Sequence, residues 1–325
     1  MDTPVRWGVL GAARIARQQV IPAIRRAGAG EVLAVSSASG GAREYAAELD
    51  IPRAYGSHEE LLADPDVEAV YLPLPNARHR EWVVRAAQAG KHVLCEKPLV
   101  LRSADLDEVD EACAAAGVQL AEAFMYRHHP QVRRVRELIA DGAVGEVVAL
   151  TGRFHFALQR SSEPDIRLLP ELGGGALLDV GCYPVDLFGL LLGETPREVA
   201  AVARRDRADG VGTRVAAVLG YERVVATLDC SFDAAAGNTA TVMGSRGTLT
   251  LTDAFRADVP GLGRIVLDRD GEDSVVEEVP GDQYGEEVRA FARRVRTGEP
   301  DAEGAAATRR TVEVLERIGR AAGLV

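Results

Sequence analysis

Positive charge is in short supply in this sequence of 325 residues: 38 Lys and Arg stand against 49 Asp and Glu, for a formal net charge of −11. Nucleic acid and anionic membrane both call for a basic surface, so neither is expected as a partner. Cysteine is sparse too. Cys95, Cys113, Cys182 and Cys230 lie far apart and form no Cys-x-x-Cys pair, which reads as free thiols of a cytoplasmic protein. The six histidines do not fall at zinc-site spacings, and the adjacent His128 and His129 point different ways, so no metal site is expected. No apolar run approaches the length of a membrane span, and no signal peptide precedes the first strand. Internal repeats and low-complexity segments are also missing.

What remains is an ordinary globular composition, 47% apolar and 27% charged. The length is more than one core usually holds, so two domains are expected. Residues 1–122 alternate short apolar strands with helices through short links, the pattern of a doubly wound parallel α/β sheet. Ser57 and Glu60 spell a capping box before one of these helices. After Glu122 the pattern changes. Residues 123–325 carry a basic helix, a long strand and seven further strand-like segments with turns between them, then two closing helices. That reads as an α+β domain on a large, mostly antiparallel sheet.

Strand Val5 to Leu10 runs into Gly11-Ala12-Ala13-Arg14-Ile15-Ala16 and a helix, the place of a dinucleotide fingerprint. Only its first glycine is kept. The free N–H groups of the helix N-terminus can still hold a phosphate, which makes residues Gly11, Ala12, Ala13, Arg14 and Ile15 candidates for the pyrophosphate. The second strand ends in Ser36-Ser37-Ala38-Ser39-Gly40-Gly41-Ala42-Arg43. No carboxylate there would repel a 2′-phosphate, while Ser37 and Arg43 would suit one. NADP is therefore expected as cofactor, with NAD as the other possibility.

The strand to Leu72 ends in Pro73-Leu74-Pro75-Asn76, followed by His79. This is either a rigid loop or a wall beside the nicotinamide ribose, and Leu72, Pro73, Leu74, Asn76 and His79 are cofactor candidates on the second reading. The next strand leads into Glu96-Lys97-Pro98. Ligands of open parallel sheets bind outside the carboxyl ends of the strands. Pro98 ends the strand and restricts Lys97, which aims the lysine in a set direction.

In the second half, Arg167 opens a run through Gly173-Gly174-Gly175 to Asp179, Tyr183 and Asp186. The glycines permit a tight turn into a helix on which Asp179 and Tyr183, four apart, share a face. The residues allow two readings: a buried Asp–Tyr hydrogen bond, or a proton donor and a substrate-hydroxyl acceptor facing Lys97.

The glycine turn at Gly11, Glu96-Lys97-Pro98 and the stretch from Gly173 to Tyr183 together resemble the Gfo/Idh/MocA oxidoreductases from end to end. Many members carry a histidine where this chain has Tyr183. The tyrosine, with Ala121 to Pro130 (Ala-Glu-Ala-Phe-Met-Tyr-Arg-His-His-Pro), is similar to the branch of dihydrodiol dehydrogenase, NADP-linked xylose dehydrogenase and glucose-fructose oxidoreductase. The resemblance implies hydride transfer between nicotinamide C4 and a carbinol or carbonyl carbon of a sugar or cyclic polyol. It makes Tyr183 the acid/base, Lys97 its electrostatic partner and second proton candidate, and Asp179 a substrate-hydroxyl acceptor or a tether for Lys97. Glu96 and Arg167 join the cofactor candidates, with Arg127 and His129 as weaker pocket-rim residues. The alternatives are a nucleotide-sugar 3-ketoreductase and a non-catalytic cofactor-binding sensor. Alternation in the strands Arg223 to Phe232 and Gly247 to Thr252 leaves Val225, Thr227, Asp229, Ser231, Thr248 and Thr250 on one face. Such faces are compatible with sheet-to-sheet pairing, so a homo-oligomer of at least two copies is expected.

Overall fold

The computed structural model describes residues 3–159, 165–205, 207, 210–259 and 261–324. Its strands are β1 Val5–Leu10, β2 Gly30–Ser36, β3 Arg53–Tyr55, β4 Ala69–Leu72, β5 His92–Glu96, β6 Leu120–Ala123, β7 Val147–Ala157, β8 Glu198–Arg205, β9 Gly212–Gly220, β10 Val225–Ser231, β11 Asp233–Gly244, β12 Gly247–Leu251, β13 Leu262–Arg269 and β14 Val275–Pro280. Its α-helices are α1 Ile21–Arg26, α2 Ala42–Glu48, α3 His58–Leu62, α4 His79–Gln88, α5 Ala104–Ala116, α6 Pro130–Ala140, α7 Cys182–Leu192, α8 Gln283–Thr297 and α9 Ala302–Ala321.

The chain divides into two compact units, Met1–Met125 with Tyr284–Ala306, and Tyr126–Gln283 with Ala307–Val325. A single cut after residue 122 is therefore corrected, because most of α8 packs with the first unit. Phe291 sets its ring 5.3 Å from that of Trp7, and Arg296 bonds Glu68 together with the Thr3 and Pro4 carbonyls. An amphipathic helix near the end of a chain can dock on either domain. Only these long-range partners choose.

The first unit holds a parallel sheet in the order β3-β2-β1-β4-β5-β6. Its central strands are buried, β4 at every residue. Buried parallel strands need apolar residues on both faces, which is why they read as runs rather than alternations. Ser57 Oγ accepts the Glu60 N–H, as the capping box predicts, and Glu60 reaches back to the Gly56 N–H.

The second unit is built on an eight-stranded sheet in the order β14-β13-β12-β11-β7-β10-β9-β8. The β7–β10 pair is parallel and the others antiparallel. Helix α7 lies against one face: a Cβ on Gly152 of β7 would come within 2.6 Å of Pro184 and one on Gly181 within 2.8 Å of Cys230 Sγ. By length and composition the run Pro170–Leu192 could cross a membrane, contrary to the expectation that no run comes near, but 72% of its 18-residue apolar window is buried in the fold. Ala226, Leu228, Cys230, Leu249 and Leu251 are buried as their alternation predicts. Ser231 breaks the pattern, buried with its Oγ 2.9 Å from His155 Nδ1. The other face stays open, with Val225 and Val218 about half exposed. It bears a broad concavity lined by Thr151, Arg153, Thr227, Asp229, Thr239 and Thr241.

Candidate active site

In the first unit the parallel register brings the strand ends level. Leu10 pairs with Ser36, Val9 with Tyr71, Leu72 with Cys95, and Glu96 with Ala123. Gly11, Ser37, Pro73 and Glu96 therefore follow one another along a single carboxyl edge. Gly11 has φ 123°, and a Cβ there would lie 3.2 Å from Leu74 Cδ2, so this position needs glycine both for its backbone and for its neighbour. The helix starts at Arg14 and contains a π-helical turn, Ala16–Val20, before α1. Ala12 and Arg14 are exposed, whereas Ala13 and Ile15 are half-buried. Tyr45, which the sequence pattern gave no reason to single out, donates its hydroxyl to the Ala13 carbonyl at 2.9 Å and so ties α2 to the glycine turn.

At the end of β2, Ser37 Oγ bonds the Gly40 carbonyl at 2.6 Å, which rounds the turn and leaves Ser39 and Arg43 exposed beyond it. Pro73, Leu74 and Asn76 lie half-buried after β4. His79 differs from a residue that reaches for a ligand. It is fully buried, and its two ring nitrogens face the Leu74 and Pro98 carbonyls.

Glu96 and Lys97 sit half-buried at the end of β5, and the Lys97–Pro98 peptide is cis. Glu96 is held from β4 by the Tyr71 hydroxyl at 2.6 Å and receives the Lys97 N–H at 3.3 Å. Burial, then the Glu96 charge, pushes the Tyr71 phenol well above its usual pKa, so Tyr71 stays a donor. Glu122 accepts the Leu99 N–H at 2.8 Å, fixing the far side of the turn. A signal for Lys97 was present but unused. Only Lys91 and Lys97 are lysines among the 38 basic residues. Lys91 is spent on structure, its ammonium bonding the Asp64 and Val67 carbonyls.

In the second unit the three glycines let two segments touch. A Cβ on Gly174 would lie 2.6 Å from the Arg167 carbonyl oxygen, and Gly173 and Gly175 both have positive φ. A π-helical turn, Leu177–Gly181, then leads into α7. Asp179 lies in that wider turn and receives Arg167 Nε at 2.9 Å. Arg167 also pairs with Asp165. Arg167 is thus placed beside Asp179, where the sequence had set it among the cofactor contacts.

Tyr183 is nearly buried, 6% exposed, within a ring of aromatic side chains. Its centroid lies 5.8 Å from Tyr126, 5.2 Å from Phe154 and 5.5 Å from Phe255. A buried Asp–Tyr bond lies one turn on, where Asp186 takes the Tyr126 hydroxyl. Arg127 Nε and Thr311 Oγ1 bond the same carboxylate at 2.8 Å each. Arg127 is therefore structural. So is His129, whose Nδ1 caps α6 by accepting the Gln131 N–H.

These features have counterparts in known proteins. The NAD-binding Rossmann-fold model of the GFO_IDH_MocA oxidoreductase family matches residues 5–124, and the GFO/IDH/MocA C-terminal domain matches residues 132–250. The chain belongs to the Gfo/Idh/MocA oxidoreductases. It is 42% identical over 316 residues to D-xylose 1-dehydrogenase (NADP(+)) 2 of Haloferax volcanii, covering 95% of both chains. It is 38% identical to a dTDP-3,4-didehydro-2,6-dideoxy-alpha-D-glucose 3-reductase of Streptomyces violaceoruber, over 99% of this chain and 96% of the other. The crystal structure of KijD10, a 3-ketoreductase from Actinomadura kijaniata in complex with NADP and TDP-benzene, superposes with a TM-score of 0.92 at 32% identity, covering 98% of each chain. As in any member of this family, the parallel sheet is the dinucleotide-binding half of an oxidoreductase.

Proposed function

We propose that this oxidoreductase is an NADP-dependent dehydrogenase or reductase of sugars or related polyols. The observation that carries the reading is the alignment of Gly11, Ser37, the Pro73–Asn76 turn and Lys97 along one sheet edge. That edge has the form of a dinucleotide site, and its fit to the cofactor rests on two features. Gly11 lacks the Cβ that would crowd the turn, and no carboxylate stands at the end of β2. The backbone from Gly11 to Ile15 would hold the pyrophosphate, Ser37 and Arg43 would serve the 2′-phosphate, and Leu72, Pro73, Leu74 and Asn76 would flank the nicotinamide ribose. Bound NADP supplies the hydride chemistry at nicotinamide C4.

The protein has one proton to move. Tyr183 is assigned that role, with Lys97 as the ammonium that favours the phenolate and Asp179, oriented by Arg167, as acceptor for a substrate hydroxyl. The Tyr126, Phe154 and Phe255 rings pack around the Tyr183 ring and hold it in place. Support for a sugar substrate comes from relatives of nearly full length whose names state one. The second of these favours a nucleotide-linked keto-sugar as the alternative substrate. A silent sensor would have no need to carry Lys97, Asp179 and Tyr183 in its sequence. The four buried thiols suit the reducing cytoplasm, and the open sheet face suits a homo-oligomer.

The test is a panel of aldoses, cyclic diols and nucleotide-linked keto-sugars, read at the nicotinamide absorbance. Turnover of free aldoses or polyols is expected. Turnover confined to nucleotide-linked ketones would replace this reading with the alternative, and no turnover of any member would overturn it.

A further inference from the structure

His79 stands at the first residue of α4 with 0% of its surface exposed. Nδ1 lies 2.8 Å from the Pro98 carbonyl oxygen, in the turn that carries Lys97. Nε2 lies 2.8 Å from the Leu74 carbonyl oxygen, in the turn after β4. A carbonyl can only accept, so each contact requires an N–H on the ring. Neutral imidazole has one N–H; imidazolium has two.

We propose that His79 is a positioning residue for the oxidoreductase reaction, a clamp that donates from both ring nitrogens and fixes the Lys97 turn against the Leu74 turn. The clamp extends further, because Leu74 Cδ2 in turn abuts Gly11, so the ends of β1, β4 and β5 are registered through one ring. An edge that must hold a dinucleotide and a lysine to within a fraction of an ångström gains from such a brace.

The charges around the ring set when the brace is complete. Burial pulls the imidazole pKa below its usual value, the two carbonyls push it up, and Lys97 lowers it again; the net direction is down. Other charges nearby are matched elsewhere. Arg78 pairs with Glu81 on α4, Arg80 pairs with Asp105 and Glu108 of α5, and Glu96 is held by Tyr71. Residues 73–76 bring no titratable side chain. The second N–H is thus present on the acid side of the ring's lowered pKa and is lost as pH rises through it, when one turn is released.

This inference rests on the oxidoreductase reading, but two of its three measurements need no sugar. The first is nitrogen NMR of the full-length protein labelled at its histidines, with the His79 signals assigned through His79→Gln. Two ring N–H protons are expected at the acid end of the pH range over which the protein stays folded, and one at the alkaline end. A single N–H throughout that range would overturn the clamp. The second is NADPH titration by fluorescence at both ends of that range. The 2′-phosphate titrates in the same range in both proteins, so the wild-type to His79→Gln affinity ratio is read. It should be larger at the acid end; a ratio that does not change with pH would overturn the proposal. The third is steady-state kinetics with the best sugar of the panel. At equal folded fraction His79→Gln should lower kcat about tenfold to a hundredfold with little change in sugar KM. Wild-type kcat in that variant would also sink the clamp. If His79→Gln does not fold, the NMR of the wild-type protein still decides, with the His79 signals assigned by replacing the other five histidines one at a time. Failure of every sugar would overturn the substrate reading while leaving the first two measurements to judge His79.

Discussion

Tyr71 Oη and Glu96 Oε1 are 2.6 Å apart, a bond from the second-last residue of β4 to the last residue of β5 that fixes the residue just before Lys97. Tyr71→Phe removes the donor and leaves a half-buried carboxylate short of one partner. The expected cost is about 1–3 kcal/mol of stability, with a lower kcat as the Lys97 turn loosens. Urea unfolding and steady-state kinetics on the same preparation check it. Unchanged values in both would make the bond incidental.

Tyr183→Phe keeps the ring among Tyr126, Phe154 and Phe255 and removes only the ionisable hydroxyl. Lys97→Ala removes the ammonium. Each should lower kcat by about a hundredfold to ten-thousandfold. NADP affinity should hardly move in Tyr183→Phe. The double variant should lose less than the product of the single losses, because the two groups serve one proton. Near-wild-type turnover in Tyr183→Phe would leave Lys97 as the sole proton donor.

NADP(H) should bind more tightly than NAD(H), since no carboxylate ends β2. Arg43→Ala should weaken NADP(H) and leave NAD(H) unchanged, narrowing the difference. Fluorescence titration with both cofactors measures this. Tighter NAD(H) binding in the wild type would reverse the preference.

Glu68 accepts bonds from Arg296 and from the Arg6 backbone and side chain, and its pKa is lowered from 4.5 to about 2, chiefly by Arg296. A depressed carboxylate pKa contributes stability above the unfolded value and loses it as pH falls through the folded one. The melting temperature should therefore decline between about pH 4.5 and 2 by more in the wild type than in Glu68→Gln. Parallel curves would show that this ion pair contributes nothing to folding.

The open face of the second sheet should pair with another copy. Light scattering at micromolar concentration is expected to give at least a dimer, and Thr227→Arg, which sets charge in the middle of that face, should shift it toward monomer. A wild-type protein that is monomeric at that concentration would refute the pairing.

Much of the candidate site was legible in the residues as local signals. Gly11, Lys97, Asp179 and Tyr183 each sit beside a local signal: a strand running into glycine, a proline after a lysine, or a glycine run before a helix. Tyr45, Tyr71 and Tyr126 gave no such signal, because a tyrosine in a buried strand or helix looks like any large apolar residue until its hydroxyl finds a partner. His79 shows the same limit from the other side. Its place after Pro75-Asn76 suggested a ligand contact, and the Leu74 and Pro98 carbonyls, 5 and 19 residues away, turned it into a brace.

The sequence by itself determined the two kinds of sheet and the order of their strands along the chain, and it marked the candidates for the chemistry. Period, turn residues and strand-end position are local properties written into neighbouring amino acids. Tertiary structure alone decided that α8 packs with the first unit, that Asp186 takes the hydroxyl of the buried Tyr126, and that Arg167 bonds Asp179. Each of those outcomes depends on which polar group meets which across tens to hundreds of residues. A buried charge or hydroxyl must find a partner, and which partner it finds is settled by packing.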